Sequence, residues 1–491
     1  MTTTGSPRSE FIQDRLAVTR QQVPKQTPED RVRNFEETYL GFDLPLAMVE
    51  AARCLDCPSA PCMQACPVGN DIPAALMLLE RGELEAAANK FRETSTLPEM
   101  CGRLCPQEKL CEGACVVGFA IRTDGSHHPP VAIGRLETFL TDQQRQRHSG
   151  FPLPEHTTPS SGRRAAVIGS GPAGLTVAEQ LQRRGHQCTV FEAWPEPGGV
   201  LLYGIPNFKM RKEILEEKIE YLKRLGVEFR TNTRIGTDLS LQDLHDVEGY
   251  DAIFLGTGAW VGSRLGIEGE EHLAHVFSAT EFLVRGNLEE HQLPDDFREP
   301  PYVGDDVVVV GGGDTSMDCV RTAVRLGAKR VTLVYRRTEA EMQGRDEERR
   351  HAREEGVHFE FLTTPIKLFG DDDGNVEGIE LIRMGLGPKD ASGRPRPVPI
   401  EGSNFRIAAS AVVTAIGYNV DGEFTKHAGV DTDRWHLVRV DPTTHRTNVP
   451  YIFAGGDVVN GADLVVTAIA DAKKAATWIH QYLRSLDEDA R

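Results

Sequence analysis

The chain has 491 residues, of which 40% are hydrophobic and 26% charged, values typical of a soluble globular protein of about three domains. Acidic residues outnumber basic ones by 73 to 55, and the net charge of −18 gives no general attraction to nucleic acid or to anionic lipid. No signal peptide and no long apolar run is found, so we expect a cytoplasmic protein without a membrane span.

Residues 1–30 are polar and contain three prolines, and we expect a tail or an arm that lies on another surface. Residues 31–150 have helical periodicity and no strand alternation, which predicts a small all-helical domain. Residues 148–162 are rich in Pro, Ser and Gly, as linkers are. The helices predicted in the small domain are Pro73–Gly82, Leu84–Phe91 and Val131–Gln144.

Eight of the ten cysteines lie in the helical domain, and such clustering indicates metal binding rather than disulfides. They form two groups, C-x2-C-x4-C-x3-C-P and C-x3-C-x5-C-x3-C. Eight thiolates would hold two [4Fe–4S] clusters, with ligands interleaved between the groups. Two structural zinc sites are the alternative. The first group is Cys54, Cys57, Cys62 and Cys66, and the second is Cys101, Cys105, Cys111 and Cys115.

A glycine-rich turn, VIGSGPAGL, begins the first of two similar α/β units, at residues 163–290. Its G-x-G-x-x-G spacing permits a tight turn, close approach of the backbone to a pyrophosphate, and close packing of helix on strand. The following strand ends in an acid that can accept hydrogen bonds from ribose hydroxyls, so we assign this unit to FAD. The residues assigned to the cofactor are Gly169, Gly171, Pro172, Ala173, Gly174 and Glu192.

The second unit, residues 300–420, begins with VVVVGGGDTSMD, and its next strand, VTLVYRR, ends in two arginines instead of an acid. Arginine at this position pairs with the 2′-phosphate of NADPH, which an acid would repel. We therefore predict NADPH rather than NADH, and a solvated pair of surface arginines is the alternative. The assigned residues are Gly311, Gly313, Asp314, Thr315, Arg336 and Arg337.

The last segment, residues 430–491, contains YIFAGGD and then a helix from about residue 463. Gly456 and Asp457 end its strand, where a carboxylate can accept from a ribityl hydroxyl of the flavin. The helix would direct its positive end at the flavin ring. This segment completes the first unit, so the NADPH domain is inserted into the FAD domain. The prediction is an α/β fold of glutathione-reductase type, with two Rossmann-like domains preceded by the helical iron–sulfur domain.

From about Tyr39 onward the chain resembles the small (beta) subunits of NADPH-dependent glutamate synthases, in CGRLCPQEKLCEGAC, EPGGVLLYGIPNFKM, VVVVGGGDTSMDC and FAGGDVVNGADLVVTAI. It is similar also to the N-terminal part of dihydropyrimidine dehydrogenase. The resemblance implies that Gly199 to Lys209 packs along the FAD. It also implies one cluster on Cys54, Cys57, Cys62 and Cys115, and another on Cys66, Cys105, Cys111 and Glu137. Whether Cys101 or Glu137 is the eighth ligand stays open.

The resemblance further implies an enzyme subunit in a hetero-oligomer. Hydride would pass from NADPH to FAD, and single electrons would pass through the clusters to a large (alpha) subunit. That partner, with its own FMN and glutaminase site, would make glutamate from glutamine and 2-oxoglutarate. No catalytic side chain is needed for hydride transfer between cofactors. The alternatives are a stand-alone or ferredoxin-linked NADPH:acceptor oxidoreductase, and a non-catalytic scaffold with zinc. No C-x-x-C pair accompanies Cys319, so thioredoxin-reductase chemistry is not expected.

Overall fold

A computed structural model describes residues 7–154, 158–390, 393–427 and 429–488. The first six residues of the predicted arm, part of the predicted linker and the last three residues lie outside these ranges. No helix of the described residues is long and apolar enough to cross a membrane.

The described residues before the linker form eight α-helices and no strand. The three helices predicted from the sequence are α5 (Ile72–Glu80), α6 (Leu84–Thr94) and α8 (Ile133–His148). The carboxylate of Asp71 accepts the Ala74 N–H at 3.3 Å and so caps α5. The helices are α1 (Pro7–Ala17), α2 (Pro28–Arg31), α3 (Leu44–Ala51), α4 (Pro61–Gln64), α5 (Ile72–Glu80), α6 (Leu84–Thr94), α7 (Pro98–Leu104) and α8 (Ile133–His148).

The first α/β unit follows the linker, and the three central strands of its sheet are short and almost wholly buried. Its elements are β1 (Arg164–Ile168), α9 (Pro172–Gln182), β2 (Gln187–Phe191), α10 (Val200–Tyr203), α11 (Lys212–Leu225), β3 (Glu228–Arg230), α12 (Leu241–Asp246), β4 (Ala252–Leu255) and β5 (Val261–Gly262).

The second α/β unit alternates strands and helices and then adds a run of strands. Its elements are β6 (Val276–Ser278), α13 (Ala279–Asn287), β7 (Asp306–Val310), α14 (Asp314–Arg325), β8 (Arg330–Tyr335), α15 (Asp346–Glu354), β9 (His358–Phe361), β10 (Thr363–Gly370), β11 (Val376–Lys389), β12 (Pro395–Pro399), β13 (Phe405–Ala408), β14 (Ala411–Thr414) and β15 (Tyr418–Asn419). The chain then forms α16 (Gly422–His427), β16 (Ile452–Ala454), α17 (Asp457–Asn460) and α18 (Val465–Glu488).

Two five-stranded parallel sheets organise the α/β part, in the orders β16-β4-β1-β2-β3 and β6-β14-β7-β8-β9. Because β16 comes from the end of the chain and pairs with β4, the second unit is an insertion in the first, as predicted. Two details differ from the sequence-based division. Strand β6 lies before residue 290 but pairs with β14, so it belongs to the second sheet. Strands β10 to β13 form an additional antiparallel sheet that the sequence did not reveal.

The helical domain and the first α/β unit share one apolar core. Met100 and Cys101 of α7, with Leu97 just before that helix, are buried together with Val167 of β1 and Ala476 of α18. A separate apolar core within the helical domain buries the other cysteine region, around Cys54 and Cys115. Burial of apolar surface therefore brings α7 and its cysteine against the first α/β unit.

Buried ion pairs join the helical region to the second α/β unit. Arg31, fully buried, donates to the carboxylate of Glu355 at 2.7 Å, and Arg321 of α14 donates to the same carboxylate at 2.9 Å. Arg321 also donates to the Thr38 hydroxyl at 2.9 Å. Buried charges are tolerated only when paired in this way. These contacts hold α14 and α15 against the N-terminal segment.

Candidate cofactor cavity and cysteine clusters

One large cavity, of about 1230 Å³, lies between the two glycine-rich turns. Both turns reach it because each follows the carboxyl end of a parallel strand, which is where open α/β sheets bind ligands. Residues of the C-terminal segment, including Asp457, line it as well. The predicted site residues that border this cavity are Gly169, Gly171, Pro172, Ala173, Glu192, Gly199, Lys209, Gly311, Gly313, Asp314, Thr315, Arg336, Arg337 and Asp457.

The first glycine turn has the geometry that a bound dinucleotide needs. Gly169 has φ of +95°, and a Cβ there would lie 2.6 Å from the Gly256 carbonyl oxygen. A Cβ on Gly174 would lie 1.9 Å from the carbonyl oxygen of Gly169, so α9 packs directly on the turn. A Cβ on Gly171 would instead meet open space. The N-terminus of α9 therefore faces a free volume with no side-chain cap, which suits a pyrophosphate.

The two acids assigned to FAD hydroxyls both border the cavity. The Glu192 carboxylate accepts from the backbone N–H of Ser170 at 3.1 Å and from that of Trp194 at 3.0 Å. It also accepts from the Ser170 hydroxyl. Burial raises the pKa of Asp457 to about 7, and the nearby carboxylates of Asp463 and Asp471 contribute. Asp457 is thus a half-buried carboxyl group beside the cavity, where a hydroxyl donor would stabilise its charged form.

The second glycine turn repeats this geometry. A Cβ on Gly313 would meet open space, and α14 begins at the next residue without a side-chain cap. The two arginines after β8, however, have different surroundings. Arg336 is exposed and borders the cavity. Arg337 is 4% exposed, and its guanidinium donates to the Asp390 carboxylate and to the Pro395 carbonyl oxygen, both at 2.8 Å.

The segment from Gly199 to Lys209 also borders the cavity, through Gly199, Val200 and Tyr203 among others. Lys209 is buried, and its ammonium lies 2.7 Å from the Asp318 carboxylate and 3.8 Å from that of Glu348. These carboxylates raise the pKa of Lys209 although burial opposes its charge. Lys209 is therefore cationic, and it links the first unit to α14 and α15.

The cysteines divide into two clusters that mix the two sequence groups. Cys54, Cys57, Cys62 and Cys115 surround one small space. Burial raises the pKa of Cys54 to about 11 and that of Cys62 to about 12, and the Cys115 thiol contributes to both. Such thiols become ligands only when a metal centre compensates their charge. We call this set the distal cluster.

The second set, called the proximal cluster here, comprises Cys66, Cys101, Cys105, Cys111 and Glu137. Burial raises the pKa of Glu137 well above its ordinary value, and the adjacent Cys101 adds to the effect. The Glu137 carboxylate raises the pKa values of the Cys66, Cys105 and Cys111 thiols in turn. Among the described residues, the Asn70 amide donates a hydrogen bond to it at 3.2 Å. Five donor side chains thus lie close enough to shift one another's pKa values.

None of the ten cysteines is joined to another by a disulfide bond. Among the described side chains, no three Cys, His, Asp or Glu converge as they would around a single metal ion. A structural zinc ion draws its sulfur ligands to about 2.3 Å from one centre. The ligands of a four-iron cluster bind separate iron atoms and need no such convergence.

Two residues that sequence reasoning did not single out connect the proximal cluster with the cavity. Leu104 lines the cavity and immediately precedes Cys105. Arg345, on the loop before α15, also lines the cavity and donates to the Cys105 carbonyl oxygen at 3.2 Å. No local motif marks either residue, because each acquires its position through packing between domains.

Comparison with known proteins agrees with this architecture. Residues 163–472 match the family model of the pyridine nucleotide-disulphide oxidoreductases, and the chain belongs to that family. Residues 31–149 match the model described as dihydropyrimidine dehydrogenase domain II, 4Fe-4S cluster. The predicted fold, oxidoreductase class and cofactors are confirmed: FAD, NADPH and at least one 4Fe–4S cluster.

The chain is 39% identical to the glutamate synthase [NADPH] small chain of Escherichia coli, over 94% of this chain and 96% of that one. It is 42% identical to the E. coli oxidoreductase AegA, over 93% of this chain and 68% of AegA. Among solved structures, FprA of Mycobacterium tuberculosis matches 67% of this chain and 86% of its own, with a TM-score of 0.56 and 21% identity, a likeness of fold. The resemblance to glutamate synthase small subunits is therefore confirmed.

Proposed function

We propose that this chain is the NADPH-oxidising electron-input subunit of a glutamate synthase, operating in the cytoplasm. FAD would accept hydride from NADPH, and two [4Fe–4S] clusters would carry single electrons to a large subunit with its own FMN and glutaminase site. That subunit would form glutamate from glutamine and 2-oxoglutarate. The observation that carries the proposal is the match to a glutamate synthase small chain over 96% of its length.

The arrangement of this chain's residues supports the direction of transfer. The two glycine turns border one cavity, so two bound dinucleotides would meet there. Leu104 borders the same cavity and adjoins Cys105 of the proximal cluster. The distal cluster lies in the separate core of the helical domain. This order favours the proximal cluster as first acceptor and the distal cluster as the exit.

We assign the ligands of the two clusters from the same contacts. Cys54, Cys57, Cys62 and Cys115 would hold the distal cluster, since all four surround one space. Cys66, Cys105 and Cys111 would hold the proximal cluster together with Glu137, whose carboxylate faces all three thiols. Both assignments agree with those implied by the resemblance.

An anaerobic titration with NADPH tests the electron-input role. We expect NADPH to bleach the flavin absorbance and then to reduce the iron–sulfur absorbance. Adding a purified glutamate synthase large subunit should restore glutamate formation from glutamine and 2-oxoglutarate. A protein that NADPH does not reduce would contradict the electron-input role, and one that is reduced but gives no glutamate with the large subunit would contradict only the partnership.

A differently partnered NADPH:acceptor oxidoreductase is the second candidate. The 42% identity with AegA favours it, because that oxidoreductase contains the same module within a longer chain. Affinity purification of the chain from its own cells separates the two candidates. A co-purifying large subunit with glutaminase activity supports glutamate synthase, and a different redox partner supports the second candidate.

A further inference from the structure

The side chain of Arg337 joins two parts of the second α/β unit. Its Nε donates to the Pro395 carbonyl oxygen and its Nη2 to the Asp390 carboxylate, each at 2.8 Å. Pro395 begins β12, and Asp390 directly follows β11. Arg337 at the end of β8 therefore fastens the β11–β12 hairpin to the second parallel sheet. The bond with Asp390 also neutralises a carboxylate that would repel a phosphate near this edge.

The connection between β11 and β12 brings another arginine to the cavity. The Asp390 N–H donates to the Arg394 carbonyl oxygen at 2.8 Å, and the Arg394 N–H donates to the Asp390 carboxylate at 3.3 Å. Arg394 lies one residue before Pro395, and Arg336 lies one residue before Arg337. Arg336 and Arg394 thus flank the Arg337–Pro395 hydrogen bond on its two strands, and both residues border the cavity.

We propose that Arg336 and Arg394 together form the subsite for the 2′-phosphate of NADPH, and that Arg337 is a positioning residue which holds Arg394 there. The end of the second strand of a dinucleotide unit is where the adenine ribose is recognised. Two guanidinium groups supply charge-assisted, bidentate hydrogen bonds to a phosphate dianion. The inference needs only the nucleotide site, so it does not depend on the identity of the partner subunit.

The test uses purified holoprotein and two probes, 2′,5′-ADP and 5′-AMP, which differ by the 2′-phosphate. We expect Arg394→Ala to raise the Kd for 2′,5′-ADP by about ten- to a hundredfold, the effect of losing a hydrogen bond to a charged group. The Kd for 5′-AMP should not change. Arg396→Ala is the matched control, because Arg396 is exposed on β12 and does not border the cavity. Unchanged affinity, or equal loss for both probes, would overturn the role of Arg394.

The positioning role of Arg337 needs a separate readout. We expect Arg337→Ala to weaken 2′,5′-ADP binding and also to speed hydrogen exchange of the Gly393 and Arg394 amides. Arg394→Ala should leave exchange at Gly393 unchanged. If Arg337→Ala weakens binding while hydrogen exchange in the hairpin stays as in the wild type, Arg337 itself contacts the phosphate and the positioning role is wrong. The flavin spectrum of each variant verifies that the protein is folded.

Discussion

The guanidinium group of Arg345 donates a hydrogen bond to the carbonyl oxygen of Cys105 at 3.2 Å. The same guanidinium donates to the Glu348 carboxylate at 3.3 Å, and the Arg345 backbone N–H donates to the Asp314 carboxylate at 3.0 Å. Asp314 begins α14 at the second glycine turn. One residue, Arg345, therefore contacts the proximal cluster loop through its buried side chain and the nucleotide turn through its backbone.

The replacement Arg345→Gln should destabilise the protein. It leaves the buried Glu348 carboxylate with one cationic partner fewer, and breaking a buried pair costs about 3 kcal/mol. We expect the apparent temperature of flavin release to fall on the order of 5 °C. Arg350→Gln is the control, since Arg350 is exposed on α15, the helix that begins directly after Arg345. Equal release temperatures for both variants would mean that the ion pairs of Arg345 contribute nothing.

Metal analysis of two variants can identify the eighth cluster ligand. The Glu137 carboxylate raises the pKa values of the Cys66, Cys105 and Cys111 thiols. The Cys101 sulfur lies 3.8 Å from the Ser95 hydroxyl. A buried carboxylate with one hydrogen bond is costly unless it binds a metal. We expect Glu137→Leu to lose about half of the iron and sulfide, and Cys101→Ser to retain both. The reverse pattern would make Cys101 the ligand.

The stability of the flavin-free protein should depend on Asp457 between about pH 4 and pH 7. Burial raises the pKa of Asp457 to about 7. A carboxyl group whose pKa is higher in the folded than in the unfolded state stabilises the fold when it is protonated. This stabilisation is complete below the pKa of the group in the unfolded chain, near 3.9 for Asp. That contribution is lost as the pH rises through 7. At 1.36 kcal/mol for each unit of pKa, the loss is at most about 4 kcal/mol.

Urea unfolding at pH 5 and pH 8 tests this dependence. We expect Asp457→Asn to be more resistant to urea than the wild type at pH 8 and to show a smaller change between the two pH values. Asp372→Asn, at an exposed carboxyl group, is the matched control. If Asp457→Asn keeps the wild-type pH dependence, the carboxyl group of Asp457 is not its source.

Alanine substitutions at three glycines should separate folding from cofactor binding. A Cβ on Gly171 or Gly313 meets open space, so both variants should fold. Gly171→Ala should lower the flavin content, and Gly313→Ala should keep the flavin but raise the Kd for NADP⁺ at least about tenfold. Gly174→Ala should be insoluble, because its Cβ would lie 1.9 Å from the Gly169 carbonyl oxygen. Normal flavin content in Gly171→Ala would place the pyrophosphate elsewhere.

The sequence by itself determined the class of fold and the cofactors. The features that carry this information are local: the glycine spacing, the periodicity of strands and helices, and the acid or arginine after the second strand. Short-range sterics and hydrogen bonds produce them, so a stretch of about 30 residues such as Val167–Glu192 specifies one dinucleotide turn. The spacing of the cysteines is local in the same sense, and it indicates metal binding because thiols a few positions apart can reach one metal centre.

Tertiary structure alone decided which of these residues act together. Sequence reasoning assigns Arg336 and Arg337 the same role. In the structure, Arg337 is buried and bonded to Asp390 of the β11–β12 hairpin, and Arg394 of that hairpin borders the cavity. Cys66 and Cys111 belong to different sequence groups, but chain packing places both beside Glu137. These pairings join residues separated by tens of positions. They depend on how helices and sheets bury their apolar faces, which no local pattern encodes.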